Sequence, residues 1–180
     1  MEIRQIPNAE VPDSLALAAL ALEYATWQEK PTTELSEAEQ IKRYRNRSKG
    51  RQAFFAYDKK LLGYAEIFPR TIYTETGSLE IMGLGSVCVD LANRGLGLGR
   101  QIVEACFKAV DQSSIDVCLF QTGVPGFYEK LNCQLVENRF VNKMDDKNPE
   151  KNPFWDDYTM IYPASFNWPT GLIDLNGKGY

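Results

Sequence analysis

An α/β fold in a single domain is what this sequence predicts, and three observations predict it. Stretches with strand-like and helix-like apolar spacing alternate along the chain. The run 86–107, SVCVDLANRGLGLGRQIVEACF, passes from a short apolar strand through three closely spaced glycines into a helix. A length of 180 residues suits one domain with a proper core.

The elements follow in order. Residues 2–6 alternate and read as a first strand, ended by Pro7. Residues 12–28 are rich in Ala and Leu, the best helix formers, with Asp13 and Ser14 as cap candidates. Pro31 and the threonines beside it should break that helix. Ser36 and Glu39 then form a capping box that opens a second, polar helix to about Arg47. Its basic run KRYRNRSKGR reads either as a solvated face or as a contact for phosphates or a partner.

Residues 52–57 and 61–68 read as a hairpin around Asp58, Lys59 and Lys60. Residues 69–77 read as a connection, and 79–90 as a long strand in which Gly83 and Gly85 suggest a bulge. After the glycine turn and its helix come a strand at 117–121, a short helix from Pro125, and strands at 135–142 and 158–162. Residues 163–180 form a C-terminal tail with Phe166, Trp168, Leu172 and Ile173. It is too apolar to float free and is expected to pack back on the domain, over a cleft.

Composition narrows the function. A formal charge of −4 disfavours nucleic acid, which attracts basic surfaces, and fits a cationic small molecule or basic peptide. No apolar run approaches the ~18 residues of a membrane span, and no secretory signal is evident, so a cytoplasmic protein is expected. The four cysteines lack C-x-x-C spacing, and there is no histidine to complete a metal site. They read as core thiols or as one disulfide, and no metal is expected.

The glycine turn carries the chemistry. Arg94, Gly95, Leu96, Gly97, Leu98, Gly99 and Arg100 join a strand to a helix N-terminus. Glycines there let several N–H groups converge on an anion, and two arginines add charge. A diphosphate is the expected ligand. The spacing is neither G-x-G-x-x-G nor a P-loop. Val87, Cys88 and Val89, followed by Arg94, Gly97 and Gly99, resemble the acetyl-coenzyme A motif of the GCN5-related N-acetyltransferase (GNAT) superfamily.

A second segment, Pro125 to Leu131, resembles that superfamily's tyrosine motif, with Tyr128 in the tyrosine position. Gln121 stands where asparagine is common, and Asn132 and Cys133 replace a glycine and an aromatic. The resemblance implies the GNAT fold: a mixed central sheet of about seven strands with a bulged fourth strand, flanked by about four helices. It implies acetyl-coenzyme A (acetyl-CoA) as cosubstrate, bound by Val87 to Val89, by the turn from Arg94 to Arg100, and by Gln121. It also implies a small-molecule amine as acceptor, and it brings a homodimer into view.

Acetyl transfer needs a neutral amine. Removing a proton from a lysine-like ammonium at pH 7 costs about 4–5 kcal/mol, which a positioned base must help to meet. Without histidine, Glu80 at the start of the long strand is the candidate base, acting through water, with burial expected to strengthen it. Its other reading is an exposed strand-end carboxylate. The resemblance gives Tyr128 the role of general acid for the departing thiolate.

The loop 144–157 gathers Asp145, Asp146, Glu150, Asp156 and Asp157 beside Phe154 and Trp155. It reads either as a holder of cationic amines or as a solvated acidic loop. A weaker resemblance, to the aminoglycoside 2′-N-acetyltransferases, implies a substrate contact at Tyr180, although Gly85 stands where that family carries glutamate. Two alternatives stay open: a non-catalytic GNAT-fold sensor of acyl-CoA, and an acetyltransferase acting on peptide or protein N-termini.

Overall fold

The computed structural model describes residues 1–27, 35–47 and 49–180. The expected break at Pro31 and its neighbouring threonines lies outside the described residues. Element order is β1 (Glu2–Pro7), α1 (Asp13–Trp27), α2 (Glu37–Arg45), β2 (Gln52–Asp58), β3 (Lys60–Thr74), β4 (Gly77–Val89), α3 (Leu98–Asp111), β5 (Cys118–Thr122), α4 (Pro125–Glu129), β6 (Gln134–Leu135), β7 (Arg139–Val141), β8 (Tyr158–Tyr162) and β9 (Leu172–Asp174). The hydrogen-bonded strand order is β1-β2-β3-β4-β5-β8-β6, with β9 pairing β3 and β7. It is a mixed sheet, because β4 pairs β5 in parallel while β1, β2 and β3 run antiparallel.

The chain forms two compact units that interleave in sequence. One comprises Met1–Phe68 and Gly85–Lys108, the other Pro69–Leu84 and Ala109–Tyr180.

In the first unit, Ala16, Ala19 and Leu20 of α1 and Tyr44 of α2 pack on Ala53, Phe55, Tyr64 and Cys88 of β2, β3 and β4. The other face of β3 meets α3: a Cβ added to Gly63 would overlap Ile102, so this glycine is fixed by close approach. The capping box forms as read, with Ser36 Oγ accepting from Glu39 N at 3.3 Å and the Glu39 carboxylate accepting from Ser36 N at 2.8 Å. In the second unit, Ile72, Ile81, Leu119, Phe140, Ile161 and Ile173 form the core, with Phe154 and Leu175.

Four expectations change. There are nine strands rather than about seven, among the described residues. Residues 69–74 continue β3 rather than forming a connection, because β2 ends its ladder opposite Ile67 and no longer needs an N–H from Pro69. The stretch 135–142 divides, with β6 pairing β8 antiparallel and β7 pairing β9 in parallel. The tail is not merely a packed strap: Leu172–Asp174 is a strand, and Tyr73 pairs with Asp174.

The irregularity in β4 falls at Ser86, whose φ is +56°, and not at either glycine. The parallel β4–β5 ladder is short, with Met82 opposite Cys118 and Gly83 opposite Leu119.

Candidate active site

In the first unit the glycine turn forms as its spacing requires. Gly95 and Gly97 take φ of +79° and +77°, values that an L side chain rarely adopts. A Cβ at either would meet nothing within 4 Å, so the space above the turn is open. α3 begins at Leu98, and Gln101 N donates to Gly97 O at 3.1 Å, so the N–H groups of the first turn are left to face a ligand.

Asp90 anchors the approach to the turn. Its side chain accepts from Ala92 N at 2.9 Å, Asn93 Nδ2 at 3.0 Å and Lys60 Nζ at 3.1 Å. The Lys60 and Asn93 bonds hold its carboxyl below the usual range. Arg94 Nε donates back to Val89 O at 3.2 Å, and Arg100 pairs with Glu104 at 2.8 Å, both exposed. An open cradle of amides with two cations at its rim suits a diphosphate-bearing carrier.

Val87 and Val89 are half-buried, while Cys88 between them points into the core under α1. Its thiol is pushed up to about 12, by burial first and then by the charge of Glu23, although a hydrogen bond with Thr26 works the other way.

Behind Cys88 lies a buried polar network that sequence reading did not find. Arg47 forks onto Glu23, with Nη1 donating to Oε1 at 3.2 Å and Nη2 to Oε2 at 2.6 Å. The same Nη1 donates to Glu66 Oε1 at 2.7 Å, and Arg51 and the Tyr64 hydroxyl also donate to Glu66 through short contacts. The Tyr44 and Tyr64 hydroxyls are 2.9 Å apart. The Glu66 side chain is 0% exposed. Burial opposes the Arg47 charge, but Glu66 and Glu23 outweigh it and hold the guanidinium ionised. Burial raises the Tyr44 hydroxyl to about 12.

This corrects the reading of the basic run. Arg47 and Arg51 turn inward, and Arg45 binds the carbonyls of Ala9 at 2.7 Å and Val11 at 2.5 Å.

In the second unit, Gln121 on β5 ties two segments together. Its Oε1 accepts from Trp155 N at 2.7 Å and Asp156 N at 2.8 Å, and its Nε2 donates to the Tyr180 main-chain oxygen at 2.7 Å. The Tyr180 hydroxyl donates to Leu119 O at 3.1 Å, and its ring packs edge-on against Phe154. A Cβ on Gly179 would overlap the Pro153 carbonyl, so only glycine fits that approach. Trp155, Asp156 and Asp157 are therefore presented outward on a fixed turn, with Trp155 71% exposed. Asp156 is raised by partial burial and then by Asp157.

α4 starts with Pro125 at its first turn and carries Tyr128, buried against Phe120 at 4.6 Å and Phe127 at 4.8 Å between ring centroids.

The family profile described as Acetyltransferase (GNAT) domain matches residues 2–136. The chain belongs to the GNAT acetyltransferase family. It is an N-acetyltransferase, and acetyl-CoA is its cosubstrate. Among solved structures it is similar to the GNAT family N-acetyltransferase YhbS of Escherichia coli in complex with CoA, at 20% identity and TM-score 0.65, covering 97% of this chain and 89% of that one. A Trypanosoma brucei acetyltransferase is similar at 22% identity and TM-score 0.60, covering 76% of this chain and 94% of that one. An Enterococcus faecalis probable N-acyltransferase is similar at 14% identity and TM-score 0.60. That match covers 74% of this chain, which spans only 33% of the other. No curated protein matches the sequence.

Within this GNAT chain the structure brings Val87, Cys88, Val89 and the turn from Arg94 to Arg100 together in one unit. One other site expectation changes. Glu80 is exposed on β4 and accepts a short hydrogen bond from Thr71, so the burial expected to strengthen it is absent. Gln121 uses its amide to fix the 155–156 turn and Tyr180.

Glu23 and Glu66 did leave a sequence signal. Glu23 falls on the buried stripe of Ala16, Ala19 and Leu20, and Glu66 sits in the middle of the apolar run of β3. Among the described residues no group of three or more His, Cys, Asp or Glu side chains is placed to hold a metal ion, and no helix is long and apolar enough to cross a membrane.

All four cysteines are buried, and none is in a disulfide. Burial raises the thiols of Cys88 and Cys133 to about 12, which leaves roughly one thiolate in ten thousand at pH 8. Native protein at pH 8 should therefore react with an aromatic disulfide reagent only at its opening rate, and denaturant should release four equivalents. A fast equivalent in native buffer would refute this.

Proposed function

We propose that this GNAT acetyltransferase moves the acetyl group of acetyl-CoA to a primary amine of a small cationic acceptor by direct attack. The open amide cradle at Gly95 and Gly97 supports a carrier held by its diphosphate. The observation that carries the choice of acceptor is the outward turn of Trp155, Asp156 and Asp157, an exposed aromatic beside two carboxylates on a braced mount. Such a surface attracts ammonium groups by charge and by ring contact. The net charge of −4 favours the same class.

The ammonium gives a proton to Glu80 through water before its lone pair attacks the thioester carbonyl carbon, and the nitrogen sheds its second proton to solvent as the tetrahedral intermediate collapses. A C–N bond forms, the C–S bond breaks, and the sulfur leaves as a thiolate that takes up a proton. Tyr128 supplies that proton. Its place in the tyrosine motif and its rigid aromatic packing support the role. Main-chain N–H groups of Val87 to Val89 polarise the carbonyl. Four buried thiols suit a reducing, cytoplasmic setting.

The test is a CoA-release screen over diamines, polyamines, amino sugars and short peptides. Turnover with small cationic amines is expected. Tyr128→Phe should lower kcat by about 100-fold and leave acetyl-CoA affinity within about twofold. Turnover confined to peptide N-termini would reassign the acceptor class. Tight acetyl-CoA binding with no turnover would favour an acyl-CoA sensor.

A further inference from the structure

We propose that Glu23 receives the reacting ammonium of the acceptor, which donates an N–H to the side of the carboxylate that Arg47 leaves open. The inference rests on the acetyl-transfer reading and adds the residue that meets the acceptor nitrogen.

Glu23 occupies a position that helix periodicity assigns to the core. Ala16, Ala19 and Leu20 lie seven, four and three residues before it, and all three are buried. A carboxylate there costs folding free energy, and replacing buried ion pairs by apolar residues is often neutral or stabilising. Packing therefore does not account for Glu23.

The two acids of the network differ in how fully they are bonded. Glu66 accepts from Arg47, Arg51 and Tyr64 and is fully enclosed. Glu23 accepts from Arg47 alone among the described residues, and its side chain keeps 11% exposure. An ionised carboxylate offers about four acceptor sites, so about half of its capacity is left unfilled by the described residues. Arg47 divides its charge between both acids, which leaves Glu23 under-compensated.

Its location fits the reaction. Thr26, one turn further along α1, is hydrogen-bonded with Cys88, so this face of the helix lies over β4. Cys88 stands between Val87 and Val89, the backbone proposed to hold the acyl end of the carrier. The Arg47 fork, itself held by Glu66, fixes the carboxylate on a rigid element. An ammonium docked there completes the hydrogen bonding and balances the unshared charge. A neutral hydroxyl acceptor donates a hydrogen bond there but does not balance the charge.

The experiment uses the full chain, with putrescine, spermidine and 2-phenylethylamine as acceptors and acetyl-CoA binding followed by calorimetry. Glu23→Gln keeps the shape and removes the charge. It should lower kcat/KM by about 30-fold or more, chiefly through KM, with acetyl-CoA affinity unchanged. Glu23→Asp, which keeps the charge, should recover part of the loss. A purely structural role would weaken acetyl-CoA binding and kcat together, with no rescue by aspartate.

Wild-type turnover with an unchanged KM in Glu23→Gln overturns this inference and leaves the proposed function standing. If Glu23→Gln does not fold, Glu23→Asp and Glu23→Ala decide: a raised KM in Glu23→Ala that Glu23→Asp partly restores, with acetyl-CoA affinity unchanged, supports the contact, and equal KM values in the two variants overturn it. Acetyl-CoA uptake without turnover of any amine overturns both readings. A tenfold loss from Asp156→Asn with Asp157→Asn, and none from Glu23→Gln, would move the acceptor nitrogen to the outward turn.

Discussion

Arg47→Met will lower the unfolding free energy by about 3–5 kcal/mol, the cost of breaking a buried pair by removing one partner. Arg47 serves two acids at once, with Glu23 at 2.6 Å and Glu66 at 2.7 Å. Glu66 keeps Arg51 and the Tyr64 hydroxyl after the substitution. Glu23 loses every partner it has among the described residues, so most of the penalty arises there. Adding Glu23→Gln to Arg47→Met removes the stranded charge and should restore a good part of the loss, although each change alone destabilises. Urea unfolding of the wild type, the two single variants and the double variant measures the coupling. Additive penalties would mean that the fork carries no interaction energy.

That network marks where sequence reasoning stopped short. Composition placed α1, rich in Ala and Leu, and continuous apolar runs placed the β2–β3 hairpin, whose central residues are buried on both faces. The glycine turn was equally legible, since positive φ at Gly95 and Gly97 demands that residue type. Arg47 and Arg51 looked like part of a solvated basic run because their partners, Glu23 and Glu66, lie on other elements. Charge runs show composition, and only the fold shows which members turn inward.

The role of Gln121 was hidden for a related reason. Its amide joins residues 34 to 59 positions away, and nothing in the local pattern of β5 announces those partners. β9 escaped because a three-residue strand is too short to show a period, and it exists through pairing with β3 and β7. A bulge was expected at Gly83 and Gly85, and the positive φ of β4 falls instead at Ser86, so the glycines located the irregularity only to within a few residues.

Gly97→Val will abolish carrier binding while leaving the fold largely intact. Two separate effects act on the same site. At φ +77° a β-branched residue is strained by about 1–3 kcal/mol, and the turn relaxes by rotating its N–H groups away from their common focus. The new side chain also fills space that is open, with nothing within 4 Å, where the diphosphate is proposed to lie. Losing two charge-assisted hydrogen bonds at about 1.5–3 kcal/mol each weakens acetyl-CoA binding by at least about 100-fold. Gly97→Ala should fall between the two, since it carries the strain with less bulk. Gly77→Val is the control: that glycine also has positive φ and open surroundings, but it lies at the β3–β4 turn. It should cost similar stability with no change in carrier affinity. Calorimetric titration with acetyl-CoA separates the cases, and wild-type affinity in Gly97→Val would remove the diphosphate from this turn.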